Sequence, residues 1–180
     1  MLENIISSST RINILLRLFL NSQTRAYLRE LATELKCSSG QISYELKQLS
    51  QARLLTKEKQ GRQVFYKANE AHPLFPELRS MVMKALGMDR IIETVLENLG
   101  SLRLAMVIDD YAEGKDHGLI DLVLVGDIDP AYLQTLVRSA ENHIKRKIRT
   151  MTLTEDEYEG LKDNLTSRPH LVLWGEKDAD

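Results

Sequence analysis

Leu28-Arg29-Glu30-Leu31-Ala32-Thr33-Glu34-Leu35, then Lys36-Cys37-Ser38, then Ser39-Gly40-Gln41-Ile42-Ser43-Tyr44-Glu45-Leu46-Lys47-Gln48-Leu49 is the stretch that decides the fold. Leu28, Leu31, Ala32 and Leu35 recur at helical spacing, and Ile42, Leu46 and Leu49 resume it after the break, which predicts two helices joined by a tight turn. Leu54-Leu55-Thr56 and Val64-Phe65-Tyr66 follow as two short strands. The segment between them, Lys57 to Gln63, holds Gly61, which can supply the positive φ a hairpin tip needs. A helix pair followed by a basic β-hairpin is the layout of a winged helix-turn-helix, whose second helix enters the major groove of DNA.

If Ile42, Leu46 and Leu49 face the core, then Ser39, Gln41, Ser43, Tyr44 and Lys47 fall on or near the outer face of the second helix. These side-chain types can read base edges: glutamine pairs with adenine, lysine donates to guanine, serine does either, and tyrosine can meet a thymine methyl. Ser38 is expected to cap the helix and present its N-terminus to a phosphate. Arg25, Arg29, Lys57, Lys59 and Arg62 are expected on phosphates, where they position the module without reading sequence. Cys37 reads as a small filler in the turn.

Upstream, Ser7-Ser8-Ser9-Thr10 offers helix caps before an apolar face of Ile12, Leu15, Leu16, Phe19 and Leu20. Downstream, Ala71-His72-Pro73-Leu74-Phe75-Pro76 carries two of the four prolines and marks a boundary. Helical patterns are expected over 77–86 and 89–99, with Gly87 between them. From Gly100 the period changes to short Val-, Ile- and Leu-rich runs at 102–108, 120–125, 150–153 and 170–174, which read as strands. Helices are expected between them, one opened by Pro130 and one by a Thr154-x-x-Glu157 capping box. Trp174 sits in an apolar strand and is expected in the core. The expected fold is therefore a two-domain α+β and α/β chain: residues 1–70 a winged helix-turn-helix, 71–100 linker helices, 101–180 a small α/β domain.

The 180 residues have a net charge of −2, which hides an asymmetry. Residues 1–80 carry 12 Lys and Arg against 7 Asp and Glu, whereas 81–180 carry 12 against 19. The basic half is the half with the helix pair, as suits a nucleic-acid module joined to something else. No apolar run approaches the roughly 20 residues needed to cross a membrane, and the N-terminus lacks the pattern of a secretory signal. With Cys37 the only cysteine, no intramolecular disulfide can form, and a cytoplasmic, soluble chain without membrane association is expected.

The segments Leu28 to Ala32, Gln41 to Leu49, Leu54-Leu55 and Gly61 to Tyr66 resemble the ArsR-like winged-helix regulators over roughly residues 10–70. Members of that family that sense metals use clusters of cysteine and histidine. Here Cys37 stands alone and His72, His117, His143 and His170 are scattered, so neither a metal site nor a cofactor is expected.

The later segments His72 to Arg79, Ala105 to Lys115 and Leu119 to Asp127 resemble winged-helix proteins that carry a minimal nucleotidyltransferase-like domain. The resemblance implies a Gly-Ser pair after the first strand that holds nucleotide phosphates, and an Asp-x-Asp on the next strand that binds two divalent metals. This chain has Asp109-Asp110 at the first position and Leu119-Ile120-Asp121 at the second. A third acid expected on a later strand falls in Ile148 to Thr152, which contains none. Two-metal chemistry needs carboxylates for both ions, so Asp109, Asp110 and Asp121 are expected to be remnants without catalysis.

Together these readings predict a DNA-binding transcriptional regulator that works as a homodimer on double-stranded DNA. Its second domain would serve assembly or the sensing of a ligand or protein partner. The alternative is a nucleotidyltransferase acting on a small molecule or protein, with the winged helix as its docking module. The first helix and residues 77–99, with Met81, Val82, Leu86, Ile91, Ile92 and Leu96, are the expected dimer surfaces.

Overall fold

The structure is a computed structural model that describes residue 2 and residues 6–175. The chain divides into two compact units, 1–85 and 86–180. The division falls inside the stretch expected to be a linker.

The first unit begins with α1 (Ser9–Phe19), capped by the Ser8 hydroxyl, which accepts from the Arg11 amide. Its apolar side, Ile12, Ile14, Leu15, Leu18 and Phe19, is buried. A short β1 (Arg25–Tyr27), too short to show a period in sequence, leads directly into α2 (Leu28–Glu34). α2 stops at Lys36, whose φ of +51° reverses the chain: the Lys36 amide donates to Thr33 and the Cys37 amide to Ala32. α3 (Ser39–Gln51) ends the same way, with Arg53 at φ +59° and the Leu54 amide donating to Leu49.

β2 (Leu55–Gln60) and β3 (Gln63–Ala68) pair antiparallel, Gln60 opposite Gln63. Most of the segment expected as loop is therefore strand. A two-residue turn does the reversal, with Gly61 at φ +61° in its first place, as a tight hairpin twisted like its strands requires. β1 adds to β3, completing a three-stranded sheet in the order β1-β3-β2.

α4 (Phe75–Leu86) starts before Pro76, two residues earlier than the expected 77. In the first turn the amide that proline lacks has no intrahelical partner to lose. Phe75 stacks against Phe19, their ring centroids 5.8 Å apart.

In the second unit, α5 (Met88–Thr94) and a 3₁₀ turn (Leu96–Asn98) precede β4 (Leu102–Ile108). A four-residue α6 (Asp109–Ala112), β5 (Leu119–Gly126), α7 (Pro130–Ile144), β6 (Lys147–Leu153), α8 (Glu155–Thr166) and β7 (His170–Trp174) complete it. The strands form one sheet in the order β6-β5-β4-β7, parallel only between β5 and β6.

Asp129 caps α7 ahead of Pro130, and Thr154 and Glu157 form the capping box at the start of α8. One sheet face, with Met106, Ile108, Val123, Val125 and Leu153, packs against Tyr158 and Leu165 of α8. Alternate residues Ala105, Val107, Leu122 and Leu124, pointing the other way, are buried too, so both faces are covered.

Two sequence expectations need correction here. Trp174 is 37% exposed, because it ends the edge strand β7, which has a neighbour on one side only. Val82, Leu86, Ile91 and Leu96 are buried in the chain's own cores, so they are not spare apolar surface for a dimer.

Candidate nucleic-acid interface

The second helix of the pair is held by charge at its buried side. Glu45, 5% exposed, accepts from the Ser8 hydroxyl at 2.6 Å and from Arg11 Nε at 2.8 Å, which ties α3 to the start of α1. Arg17, 2% exposed, reaches Glu34 at 2.9 Å and Glu30 at 3.3 Å and so ties α1 to α2. Glu30 also accepts from the Tyr27 amide at the start of α2. Neither buried charge was foreseen, since each sits inside a helical pattern and its partners come from other helices.

With Ile42, Glu45, Leu46 and Leu49 buried, Ser39, Gln41, Ser43, Tyr44 and Lys47 are all exposed. They are not equivalent. Ser43, Tyr44 and Lys47 stand on the side of the helix opposite the core, and Tyr44 is 59% exposed. Gln41 is turned back: its carboxamide oxygen accepts from the Ser38 amide at 3.2 Å while the Ser38 hydroxyl accepts from the Gln41 amide. Ser38 therefore caps α3, and Gln41, expected as a base reader, closes the capping box.

The hairpin sorts its cations by strand face. Lys57 lies opposite Tyr66 and Lys59 opposite Val64, while Glu58 lies opposite Phe65, and Phe65 opposite Tyr27. Lys57 and Lys59 thus share one face. Arg25 is on the other, where its guanidinium pairs with Glu58 at 3.4 Å and lies 4.7 Å from the Phe65 ring centroid. Arg25 thus lies on the sheet face opposite the one that carries Lys57 and Lys59. Arg29 stays exposed on the first turn of α2, and Arg62 is exposed in the hairpin turn.

A groove joins the helix to the hairpin. Lys47, Ser50 and Gln51 of α3 line one wall and Leu55 and Lys57 of β2 the other. Ser50 and Gln51 had not been singled out in the sequence; they belong to the last turn of α3, beyond the apolar residues that defined its period.

In the second unit Asp109 and Asp121 are committed to arginines. Arg168 Nε donates to Asp109 at 2.9 Å, and Arg168 Nη2 donates to its second oxygen. Arg149 Nε donates to Asp121 at 2.5 Å, and this carboxylate pushes the guanidinium's pKa further up. Asp121 and Arg149 are register partners on the parallel strands β5 and β6. Asp110, the remaining acid, is 3.9 Å from His117.

The Asp109 amide, which could otherwise face an anion, donates to the Pro169 carbonyl at 2.7 Å, and Asp109 itself sits at φ +62°. Two divalent cations do not fit this donor set, because a guanidinium already sits on Asp109 and on Asp121, which leaves Asp110 alone to hold them. Among the described residues no group of three or more His, Cys, Asp or Glu stands close enough to hold a metal ion. Next to this cluster the Tyr111 hydroxyl is buried, donates to the Leu86 carbonyl at 2.7 Å, and has its pKa raised by that burial.

At the junction of α7 and β6, Arg146 pairs with Asp116 at 2.6 Å and Lys147 with Glu141 at 2.8 Å. Lys145 takes the left-handed cap of α7.

Residues 10–71 match the family model of the winged helix DNA-binding domain. The first unit is a winged helix. No curated protein matches the chain. Among solved structures, reduced HlyU from Vibrio cholerae is 22% identical over 48% of this chain and 83% of its own, with a TM-score of 0.38. The adhesin competence repressor AdcR from Streptococcus pyogenes is 23% identical over 51% of this chain and 72% of its own, with a TM-score of 0.37. The tri-AMPylated HEPN toxin of Shewanella oneidensis in complex with MNT antitoxin matches at 15% identity over 52% of this chain and 74% of that one, with a TM-score of 0.38. Among the described residues no helix is long and apolar enough to cross a membrane.

Proposed function

We propose that the chain is a sequence-specific, DNA-binding transcriptional regulator that acts as a homodimer. The observation that carries this reading is the exposed face of α3, with Ser43, Tyr44 and Lys47, of which Lys47 also lines a groove with Lys57 of the hairpin. Ser43 and Tyr44, with Ser39 at the edge, read base edges in the major groove. Lys57, Lys59, Arg62 and Arg29 contact the backbone, and the N-terminus of α3 beneath Ser38 faces a phosphate. One such helix covers few base pairs, so a second copy related by a two-fold axis supplies the other half-site.

The second unit acts without catalysis, in assembly or in sensing a ligand or partner. The arginine pairs on Asp109 and Asp121 support this, since each neutralises a carboxylate that two-metal chemistry would need.

The test is selection of bound duplexes from a random pool by the purified chain. Recovery of one shared sequence motif is expected, and binding that shows salt dependence but no motif refutes sequence-specific readout. Incubation with labelled nucleotides and Mg²⁺ or Mn²⁺ is expected to give no transfer to protein or small molecule, and turnover would refute the non-catalytic role.

A further inference from the structure

We infer that the groove between the last turn of α3 and β2 is a seat for a single backbone phosphate of the bound DNA, with Ser50 as its neutral donor. This rests on the DNA-binding reading above and assigns that interface a site which neither the base-reading face nor the hairpin turn supplies.

The groove's charge is of one sign. Its lining side chains include two lysines, Lys47 and Lys57, and no carboxylate; Glu58, the acid of the same strand, belongs to the opposite sheet face, where it holds Arg25. Lys57 is positioned rather than free, its ammonium 5.7 Å from the centroid of the Tyr66 ring across the ladder. The walls come from a helix and a strand, so the two lysines are set by regular backbone and not by a loop.

Ser50 supplies the independent observation. Its hydroxyl oxygen is buried and has no hydrogen-bond partner among the described residues. A helical serine ordinarily satisfies itself by donating to a carbonyl one turn back, and a buried polar atom left unpaired is rare enough to call for a cause. Ser50 lines the groove with the two lysines. Seating a phosphate there lets the hydroxyl turn about χ1, its one heavy-atom torsion, and donate to a phosphate oxygen while the lysines balance the charge. Gln51, on the same wall, adds amide donors.

The site accordingly binds backbone and not base. Lys47, which residue type alone would send to guanine, is a phosphate ligand.

The experiment uses the full chain and a duplex recovered from the random pool, with single backbone phosphates replaced in turn by neutral methylphosphonates. For the wild type, neutralising one phosphate per half-site is expected to weaken binding about tenfold. That same replacement is expected to have no further effect on Lys57→Ala, whose salt slope falls by about one while its base preference is unchanged. Ser50→Ala is expected to raise Tm by about 2–5 °C, by removing an unsatisfied polar atom, and yet to weaken DNA binding; a merely structural serine would move both in the same direction. Lys57→Arg keeps the seat and restores affinity.

If Lys57→Ala and every methylphosphonate act additively, or if Ser50→Ala leaves affinity intact, the seat is refuted while the DNA-binding reading stands. If the wild type recovers no duplex from the pool, both fall together.

Discussion

Arg17 is a cation in the middle of an apolar helix face, and it is nearly as buried as the leucines beside it. Its guanidinium holds Glu30 and Glu34, which remain 25% and 21% exposed, so the desolvation cost is shared with water. Replacing it leaves two carboxylates facing a buried gap. Arg17→Ala is expected to cost about 2–3 kcal/mol in urea unfolding, and a loss below about 1 kcal/mol would show that the network contributes no more than a surface pair. The same logic separates Gln41 from Tyr44 on α3. Both are exposed and both suit DNA contact by type, but Gln41 is spent on the cap and Tyr44 is not.

At the scale of elements, α2 and α3 both end on a basic residue in the left-handed region, where glycine is the unstrained choice. Arg53→Gly is therefore expected to stabilise the first unit by about 0.5–1 kcal/mol in denaturant unfolding, because it keeps the amide of residue 53 donating to Ser50 and relieves the side-chain penalty. No gain, or a loss, would mean that the arginine side chain contributes a contact of its own.

The junction of α7 and β6 responds to acid. Glu141 accepts from Lys147 and from the Ile148 amide, and these bonds lower its pKa below the ordinary 4.5. A carboxylate depressed in the folded state contributes stability that is present above pH 4.5 and lost as pH falls through the lowered value. Glu157, held down by the Thr154 amide and hydroxyl at the start of α8, acts in the same direction. The second unit should lose stability below about pH 4.5, and Glu141→Gln should flatten that loss. A variant with an unchanged acid profile would remove Glu141 as a source.

At the scale of the molecule, the basic and acidic halves of the chain coincide closely with its two compact units. The homodimer reading predicts a dimeric mass by light scattering at micromolar concentration and a recovered site that is pseudo-palindromic, its half-site centres about 34 Å apart. A monomeric mass with a single asymmetric half-site would overturn it. Because Val82, Leu86, Ile91 and Leu96 serve the chain's own cores, the dimer surface has to be found elsewhere than in those residues.

Much of this was legible locally. The helix pair, its turn, the caps at Ser38 and Thr154, the glycine hairpin and the strands of the second unit all follow from periodicity and from residues whose backbone or capping preferences act over three or four positions. The sequence by itself determined the order of elements and which face of α3 is apolar, because those depend on spacing within one element.

Only the tertiary structure decided which charges remain available. Arg25 is taken by Glu58 33 positions away, Arg149 by Asp121 28 positions away, and Arg168 by Asp109 59 positions away. It also brought Ser50 and Lys57 to one groove and left Trp174 on an open sheet edge. A side chain's pattern reports its own helix or strand; its partner and its exposure are set by what the rest of the chain packs against it.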